Sequence, residues 1–409
     1  MRKHTKDYRK EPILVCLDGS PDSEAAGRLA ITMAKADDLD VVAAHVYDAG
    51  IHEARFEQME PGLPEKYQVP EGLDELRGAH ATLMTNGFEA LSRGYLTRFV
   101  QNSRDAGLRI ESVVEEGRNY VQLLRIAERV KPGLTVFGAA GLGDTRDGIP
   151  GSTAVRLMRK LGCDILLTRA SAPVNGPVLV GIDGSAAALE AMRKGEKWAG
   201  AMDAPLHLAA AFDPVLHQHV FKAMADTMPP EAQAAVGLDK QQELHETLID
   251  EGLGTLYQAF LEDAARTAAA RGPAPETHLA ADKAYRALVD TAAAAGASMI
   301  CLGRHGHHRE HISDIGATAE TVARLSGTNV YLASSPAADD GETREEIPTD
   351  LTWDPAALER LKGVPRFARK MARRGIESLA RREGANRVTA DHVDKAAHSF
   401  RRKRPEKTD

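Results

Sequence analysis

Two short stretches of the chain are nearly the same: residues 12–20 read PILVCLDGS, and residues 177–185 read PVLVGIDGS, 165 residues further on. Glycines later in the chain repeat at the same interval: Gly138 with Gly303, Gly141 with Gly306, and Gly151 with Gly316. Several separate landmarks with one spacing indicate a duplicated domain. A repeat unit of this length is a whole domain, which excludes a solenoid.

Each copy begins with a short apolar run, as expected for a strand buried on both faces of a parallel sheet. Ser20 is placed to cap the following helix, and Pro21 suits its first position. Further apolar runs predict strands near residues 41–47, 110–114, 134–138 and 164–168. Strands that alternate with helices predict two tandem doubly wound, Rossmann-like α/β domains. Ligands of such sheets bind beyond the carboxyl ends of the strands.

A glycine-rich loop follows the strand that ends near Gly138 and leads into an apolar helix. Gly138, Gly141 and Gly151 would let backbone N–H groups approach phosphate oxygens, and a helix N-terminus adds free N–H donors. Ser152, with Thr153 behind it, adds a hydroxyl donor. This layout is typical of a phosphate-binding loop.

Two residues at the ends of other strands suit a nucleoside. Asp18 could accept a hydrogen bond from a ribose or adenine donor, and Val46 could pack on a base. Asp18 and Gly138 should meet in one crevice, because both follow strands of one parallel sheet. A simpler interpretation stays open, in which the glycines only make turns and Asp18 and Asp183 only precede them.

The second copy keeps most of these positions: Asp183, Gly303, Gly306 and Gly316. It differs at Ala317, which stands where the first copy has Ser152. Thr318 either substitutes for that hydroxyl or caps the following helix. The base-contacting position changes from Val46 to Ala211. We therefore expect weaker or altered binding in the second copy.

The order of strand, aspartate, glycine loop and helix resembles the ATP-binding subclass of the universal stress protein family, whose signature is Gly-x2-Gly-x9-Gly-(Ser/Thr). The resemblance covers residues 12–169 and 177–333, and the signature is complete only in the first copy. It implies an adenine nucleotide alpha-hydrolase-like fold. It also implies ATP as ligand, with ADP or AMP as alternatives and Mg²⁺ as a companion. Asp18 and Val46 would contact the nucleoside, while the glycines and Ser152 would hold the phosphates.

The sequence shows no pattern of residues typical of a catalytic site, so no catalytic residue is predicted. Slow ATP hydrolysis or autophosphorylation stays open, since bound ATP needs only a positioned water or hydroxyl. The histidines near the second glycine loop suggest a metal site: His305, His307, His308 and His311, with Glu310 and Asp314 nearby. We favour a solvated loop in which Arg304 and Arg309 steer phosphate, and predict no metal. His217 and His219 are expected on the surface.

Cellular location follows from the absence of long apolar runs and from a polar N-terminus, which together predict a cytoplasmic protein without a membrane segment. The three cysteines, Cys16, Cys163 and Cys301, lie within or beside apolar runs and are expected in the core. Each copy also has an extended middle, at residues 48–97 and 213–255. These insertions could cover the nucleotide or form an interface, and the sequence does not choose between them.

The C-terminal region is basic. Residues 359–403 contain 14 Lys and Arg against 5 Asp and Glu, although the whole chain has a net charge of -7. The region resembles the small C-terminal domain of the light-independent protochlorophyllide reductase B subunit at these positions: Trp353, Pro355, Leu361, Val364, Pro365, Phe367, Arg369, Glu377, Ala380, Arg381, Gly384, Val388 and Thr389. That resemblance implies a helical accessory module without reductase chemistry, since no iron–sulfur cysteines are present.

These observations predict four segments: a first domain at 10–172, a second at 175–335, a linker at 336–350 and a basic helical domain at 351–403. We interpret the protein as a tandem nucleotide sensor whose two domains pair as an internal pseudo-dimer, with higher oligomers left open. Its C-terminal helices would bind an unknown protein partner. Nucleic acid is not favoured, because aromatic residues for base stacking are scarce there. The alternatives are a scaffold with vestigial nucleotide binding, in which the basic tail is the working part, and a weak ATPase.

Overall fold

The computed structural model describes most of the chain: residues 8, 10–64, 67, 70–143, 149–213, 222–236, 250–306, 315–334, 351–362, 373, 376, 377, 379, 380, 383 and 385–395. These residues divide into two compact units, with the division between residues 336 and 337. The predicted linker at 336–350 lies outside the described residues. The four predicted domain limits therefore stay predictions.

The first repeat alternates strands and helices. Its strands are β1 (Ile13–Cys16), β2 (Val41–Tyr47), β3 (Ile110–Glu116), β4 (Leu134–Gly138) and β5 (Asp164–Thr168). Its helices are α1 (Pro21–Asp37), α2 (Ala49–Met59), α3 (Pro70–Asn102), α4 (Asn119–Val130) and α5 (Ser152–Lys160). The predicted cap is confirmed: the Ser20 hydroxyl accepts a hydrogen bond from the Ser23 N–H, and Pro21 is the first residue of α1.

The second repeat follows the same order. Its strands are β6 (Val178–Gly181), β7 (Leu206–Phe212), β8 (Glu276–Ala281), β9 (Met299–Gly303) and β10 (Asn329–Ala333). Its helices are α6 (Ala186–Ala201), α7 (Pro230–Val236), α8 (Asp250–Ala269), α9 (Ala284–Ala295) and α10 (Ala317–Leu325). Ser185 caps α6 as Ser20 caps α1, because its hydroxyl accepts from the Ala188 N–H.

All ten strands form one sheet, in the order β3-β2-β1-β4-β5-β10-β9-β6-β7-β8. Pairing is parallel within each repeat and antiparallel where β5 meets β10. Side chains alternate between two apolar layers: Ile13 and Val15 pack in one, Leu14 and Cys16 in the other. Each layer continues through both repeats. The predicted fold of two tandem doubly wound domains is confirmed.

A buried polar network crosses the junction between the repeats. The Asp164 carboxylate of β5 accepts a hydrogen bond from the Tyr331 hydroxyl at 2.6 Å and from the Ser334 N–H at 2.8 Å. It also pairs with the Lys194 ammonium at 2.8 Å. Burial, together with this carboxylate, raises the pKa of Tyr331 well above its ordinary value, so the phenol keeps its proton and donates. A buried carboxylate is thus satisfied by partners from the other repeat.

Two buried arginines join each repeat to a helix end of the other. Arg304 donates from its guanidinium to the carbonyl of Met158 at 2.5 Å and to that of Leu161, at the C-terminus of α5. Arg169 donates to the carbonyl of Ala323 at 3.1 Å, near the end of α10. Such donors satisfy the last carbonyls of a helix and face the negative end of its dipole. The expectation that Arg304 steers phosphate is therefore wrong, because its side chain is buried at the junction.

The first insertion consists mainly of helices. α2 and the 33-residue α3 meet through the stacked rings of Phe56 and His80, 4.6 Å apart. Further along α3, Tyr95 lies against the Asp18-Gly19-Ser20 turn of the first repeat. In the second repeat, Phe260 of α8 lies in the same way against Gly184. Both insertions therefore end in a helix whose aromatic ring covers the turn after the first strand.

The C-terminal unit has a small core of its own, formed by Leu351, Ala357, Leu361, Ile376, Ala380, Val388 and Val393. Its elements include α11 (Pro355–Lys362) and a short parallel pair, β11 (Thr352–Trp353) and β12 (Arg387–Val388). The Trp353 indole donates to the Glu377 carboxylate at 2.9 Å. Several of the residues on which the resemblance depends lie outside the described part, including Phe367 and Arg369. In the part of the chain that the structure describes, no helix is long and apolar enough to cross a membrane.

Candidate functional site

A cavity of about 380 Å³ lies at the carboxyl ends of β1, β2 and β4 in the first repeat. This volume is in the range of small-molecule sites. The cavity is lined by all seven residues predicted for the first copy: Asp18, Val46, Gly138, Gly141, Gly151, Ser152 and Thr153. The doubly wound sheet brings them together from three separate parts of the chain.

Asp18 belongs to a tight turn at the end of β1. One carboxylate oxygen accepts a hydrogen bond from the Ser20 N–H at 2.9 Å, and Gly19 between them has a φ of +78°. The other oxygen faces the glycine loop: a Cβ on Gly141 would lie 2.9 Å from it. A side chain at Gly141 would therefore collide with Asp18, which explains why glycine suits this position. Asp18 is both a turn former and a cavity-lining acceptor.

The glycine loop is held against the sheet at both ends. At Gly138 a Cβ would lie 2.9 Å from the Ser23 nitrogen, so the strand end packs directly on α1. The Asp22 carboxylate accepts from the Ala140 N–H at 3.0 Å, and the Gly151 N–H donates to the Ala139 carbonyl at 2.8 Å. Residues 144–148, in the middle of the loop, lie outside the described part.

Helix α5 begins at the cavity. Ser152 is its first residue, after Gly151 as N-cap, and Ser152, Thr153 and Ala154 all line the cavity. The first N–H groups of a helix have no partner within the helix, and its N-terminus is the positive end of the dipole. This end of the cavity therefore suits an anion such as phosphate.

Two polar side chains at the cavity were missed by the sequence analysis, His45 and Asn119. The His45 Nδ1 lies 2.5 Å from the Leu17 carbonyl oxygen, and its ring packs edge-on against Tyr95 with centroids 5.4 Å apart. Asn119 begins α4, after Gly117 with a φ of +126°. The signal was available in one case, since His45 directly precedes Val46 on β2.

The backbone of the second repeat repeats this geometry. The Ser185 N–H donates to the Asp183 carboxylate at 2.9 Å, and a Cβ on Gly306 would lie 2.9 Å from that carboxylate. The Gly316 N–H donates to the Arg304 carbonyl at 2.8 Å. Gly303 packs on Ala187 as Gly138 packs on Asp22. The turn and the loop ends therefore have the same form in both repeats.

The side chains around the second site are different. Alanine stands 165 residues after each of four cavity-lining residues of the first repeat: Ala188 for Ser23, Ala210 for His45, Ala284 for Asn119 and Ala317 for Ser152. Thr318 is an exposed residue of the first turn of α10, and the N-cap of that helix is Gly316. Thr318 is therefore not the cap, and it is placed as Thr153 is. The second site has fewer polar groups for a ligand.

Several predicted residues have no described placement. His307, His308, Arg309, Glu310, His311 and Asp314 lie outside the described residues, as do His217 and His219. The alternative of a metal site at the second glycine loop is thus untested.

The cysteines are free thiols, two of them buried and Cys163 partly exposed. Cys16 lines the cavity, but burial raises the pKa of its thiol to about 12, with Cys163 and Asp18 adding to the shift. A thiol with this pKa is not a thiolate at neutral pH and is a poor nucleophile.

Comparisons with known proteins identify both repeats. The profile of the Universal stress protein family matches residues 10–169 and 175–333, and that of the proto-chlorophyllide reductase 57 kD subunit matches residues 353–396. No curated protein matches the chain. A solved universal stress protein from Archaeoglobus fulgidus DSM 4304 is 14% identical with a TM-score of 0.47, over 80% of this chain and 99% of that one.

Two solved structures that match a single repeat were determined with nucleotides. One is a universal stress protein in complex with cAMP, 23% identical with a TM-score of 0.26, over 39% of this chain and 98% of that one. The other is a universal stress protein family protein from Arabidopsis thaliana with AMP bound, 15% identical with a TM-score of 0.26, over 39% of this chain and 91% of that one.

Proposed function

Because the chain belongs to the universal stress protein family, with two copies of its domain in tandem, we propose that the cavity of its first repeat binds an adenine nucleotide. One observation supports this above the others: the Asp18 turn, the glycine loop and the N-terminus of α5 line one cavity of about 380 Å³. Glycine loops and helix N-termini suit phosphate, and a carboxylate at a strand end suits a nucleoside.

The proposed contacts follow the placement of each group. Gly138, Gly141 and Gly151 allow the backbone to approach phosphate oxygens, and Ser152 and Thr153 add hydroxyl donors at the start of α5. At the other side of the cavity, the Asp18 carboxylate accepts from the ribose or from the adenine amino group, and Val46 packs on the base. His45 and Asn119 supply further polar contacts.

The nucleotide proposed is ATP, with ADP and AMP as alternatives. Among the lining residues, Asp18 is the one carboxylate of the described part. A Mg²⁺ ion, which prefers oxygen ligands, would therefore depend on phosphate oxygens, with Ser152 or Asp18 as protein ligands. Bound ATP would be held for sensing, and hydrolysis by a positioned water is the lesser proposal.

The second repeat, in this proposal, binds nucleotide more weakly or not at all. It keeps the Asp183 turn and the glycines Gly303, Gly306 and Gly316, but alanines replace the polar side chains at four lining positions. Lost hydrogen bonds to a charged phosphate cost about 1.5–3 kcal/mol each. Thr318 alone does not restore them.

The wider role proposed is that of a stress-response sensor, in which nucleotide occupancy is passed to a protein partner through the basic C-terminal unit. The basic composition of residues 359–403 supports an acidic partner. A scaffold with vestigial nucleotide binding is the second candidate, supported by the alanines of the second site.

Calorimetric titration of the full chain with ATP, ADP and AMP tests the proposal. Gly141→Ala should weaken binding at least about tenfold, equal to about 1.4 kcal/mol, because its Cβ would lie 2.9 Å from the Asp18 carboxylate and displace the loop. Gly306→Ala is the matched control, since its Cβ would lie equally close to Asp183. We expect that variant to bind as the wild type does. An absence of binding at millimolar nucleotide would overturn the proposal and favour the scaffold.

A further inference from the structure

A cluster of three side chains lies at the outer edge of the sheet in the second repeat, away from the glycine loops. It consists of His207 on β7 with Glu276 and His278 on β8, the edge strand. One ligand atom from each side chain can be chosen so that all three lie within 4.8 Å of one another. The cluster is near the amino-terminal ends of these strands, whereas the nucleotide cavity of the first repeat is at carboxyl ends. We call it the histidine cluster.

The pairing of the two strands brings these side chains together. His207 lies opposite Glu276, and His278 lies opposite Ala209, two residues along β7. Alternate residues of a strand point to the same face of a sheet, so all three side chains share one face. The His207 Nδ1 and the His278 Nε2 are 3.1 Å apart. The same His278 nitrogen is 3.6 Å from a Glu276 oxygen.

The first repeat provides an internal comparison at the same positions. There Val42, Glu111 and Val113 stand 165 residues before His207, Glu276 and His278, and Val42 pairs with Glu111 in the same register. The acid is thus retained in both repeats, while two valines are replaced by histidines in the second. In the first repeat the Glu111 carboxylate accepts a hydrogen bond from the Tyr8 hydroxyl at 3.1 Å. The fold itself therefore does not require histidines here.

The chemistry of the cluster selects the class of ligand. Two imidazoles and one carboxylate are the ligand set of three-residue zinc sites, in which water takes the fourth position. Mg²⁺ and Ca²⁺ prefer all-oxygen sites, and imidazole favours zinc and its transition-metal neighbours. On a tetrahedral zinc ion, two ligands at about 2.0–2.1 Å lie about 3.3–3.4 Å apart. The observed separations of 3.1 and 3.6 Å lie on either side of that value.

Access and protonation are compatible with a metal ion. The His207 side chain is 13% exposed, His278 is 27% exposed and Glu276 is 64% exposed. An ion can thus enter from the Glu276 side and be held by two partly buried rings. Burial is the main cause that lowers the pKa of His207, which keeps that ring neutral and its lone pair available.

We propose that His207, Glu276 and His278 bind a divalent transition metal ion, best matched by Zn²⁺, at the edge of the second repeat. The bound ion would join the edge strand β8 to β7. Because the ion binds the folded chain, it would stabilise that edge by mass action. The proposal is independent of nucleotide binding, and its ligands are separate from the nucleotide cavity.

The test is a zinc titration of the full chain after removal of metal with a chelator, followed by calorimetry and by cobalt substitution. We expect one Zn²⁺ per chain at this site, and visible absorption bands typical of tetrahedral cobalt when Co²⁺ is added. The double variant His207→Val/His278→Val, which restores the residues of the first repeat, should lose both signals. Its circular dichroism and its ATP titration should match the wild type, which would show that it is folded.

Two further variants make the result decisive. Glu276→Gln changes an exposed side chain and should weaken zinc binding at least about tenfold without unfolding the protein, since it removes one anionic ligand. His307→Ala/His308→Ala/His311→Ala removes the histidines beside the second glycine loop and should leave the signals of the histidine cluster unchanged. Zinc binding that persists in the valine variant, or that is lost in the alanine variant, would overturn the proposal. An absence of zinc binding in the wild type would do the same.

Discussion

Ser152 and Ala317 occupy equivalent positions, each the first residue of the helix after a glycine loop. In the first repeat this position offers a hydroxyl beside the free N–H groups of α5, and in the second it offers a methyl group. His45 and Asn119 are likewise replaced by Ala210 and Ala284. The difference between the two sites is therefore one of side-chain polarity, on a backbone of the same form.

Exchange of this single hydroxyl should alter nucleotide affinity asymmetrically. Ser152→Ala should weaken ATP binding at the first site by about tenfold to a hundredfold, because a hydrogen bond to a charged phosphate contributes about 1.5–3 kcal/mol. The reverse change, Ala317→Ser, should gain less than about tenfold at the second site, since Ala188, Ala210 and Ala284 remain. Calorimetric titration measures both affinities. Equal effects in the two variants would show that the hydroxyl alone distinguishes the sites.

The sequence predicted the cavity-lining loop residues well because their spacing is local and is repeated 165 residues later. Gly138, Gly141 and Gly151 needed only their order along the chain. Asn119 could not be found in this way, because it reaches the cavity through the position of α4 and has no fixed spacing from the loop. His207 and His278 are 71 residues apart. They meet only through the register of β7 and β8.

The long helix of each insertion ends with an aromatic ring on the turn after the first strand. A Cβ on Gly19 would lie 2.4 Å from the Tyr95 ring, and one on Gly184 would lie 2.7 Å from the Phe260 ring. Tyr95 also packs against His45, which lines the cavity, whereas Phe260 faces a strand that has Ala210 at that position. The same structural element is therefore connected to a polar cavity residue in the first repeat alone.

Removal of the two rings should separate stability from binding. Tyr95→Ala and Phe260→Ala should each lower the free energy of unfolding by about 1–3 kcal/mol, since both truncate a partly buried aromatic side chain. Tyr95→Ala alone should also weaken ATP binding at the first site, because His45 and the Asp18 turn lose a packing partner. Denaturant unfolding and calorimetry on the same samples check both effects. Unchanged ATP affinity in Tyr95→Ala would contradict a role of α3 at the site.

Across the whole first unit, the two repeats are joined through buried polar groups as well as through the β5–β10 ladder. Asp164 accepts from Tyr331 and Ser334, and Arg304 donates to the end of α5. The duplication was evident from sequence, and so was the parallel sheet of each repeat. The direction in which Arg304 points was not, because a charged residue between glycines looks exposed in the sequence. Its partners are two backbone carbonyls of the other repeat, which no side-chain pattern marks.

Arg304 should therefore matter for stability and Arg159 should not. Arg304→Ala leaves the carbonyls of Met158 and Leu161 buried without this donor, at a cost of about 1–3 kcal/mol for each unsatisfied group. Arg159 makes an exposed ion pair with Glu320 at 2.6 Å, also between the repeats. Its removal should cost less than about 1 kcal/mol. The midpoints of urea unfolding compare the two variants, and similar midpoints would contradict the role assigned to Arg304.

The antiparallel β5–β10 pair has a consequence for how the two sites can change over generations. In an assembly of two identical chains, every substitution appears at both sites at once. Here each site has its own codons, while the covalent link ensures that one site of each kind is always present in the pair. The second site can therefore lose its serine, histidine and asparagine without any loss at the first. Inherited asymmetry of this kind lets one half drift toward a new task while the other keeps the old one.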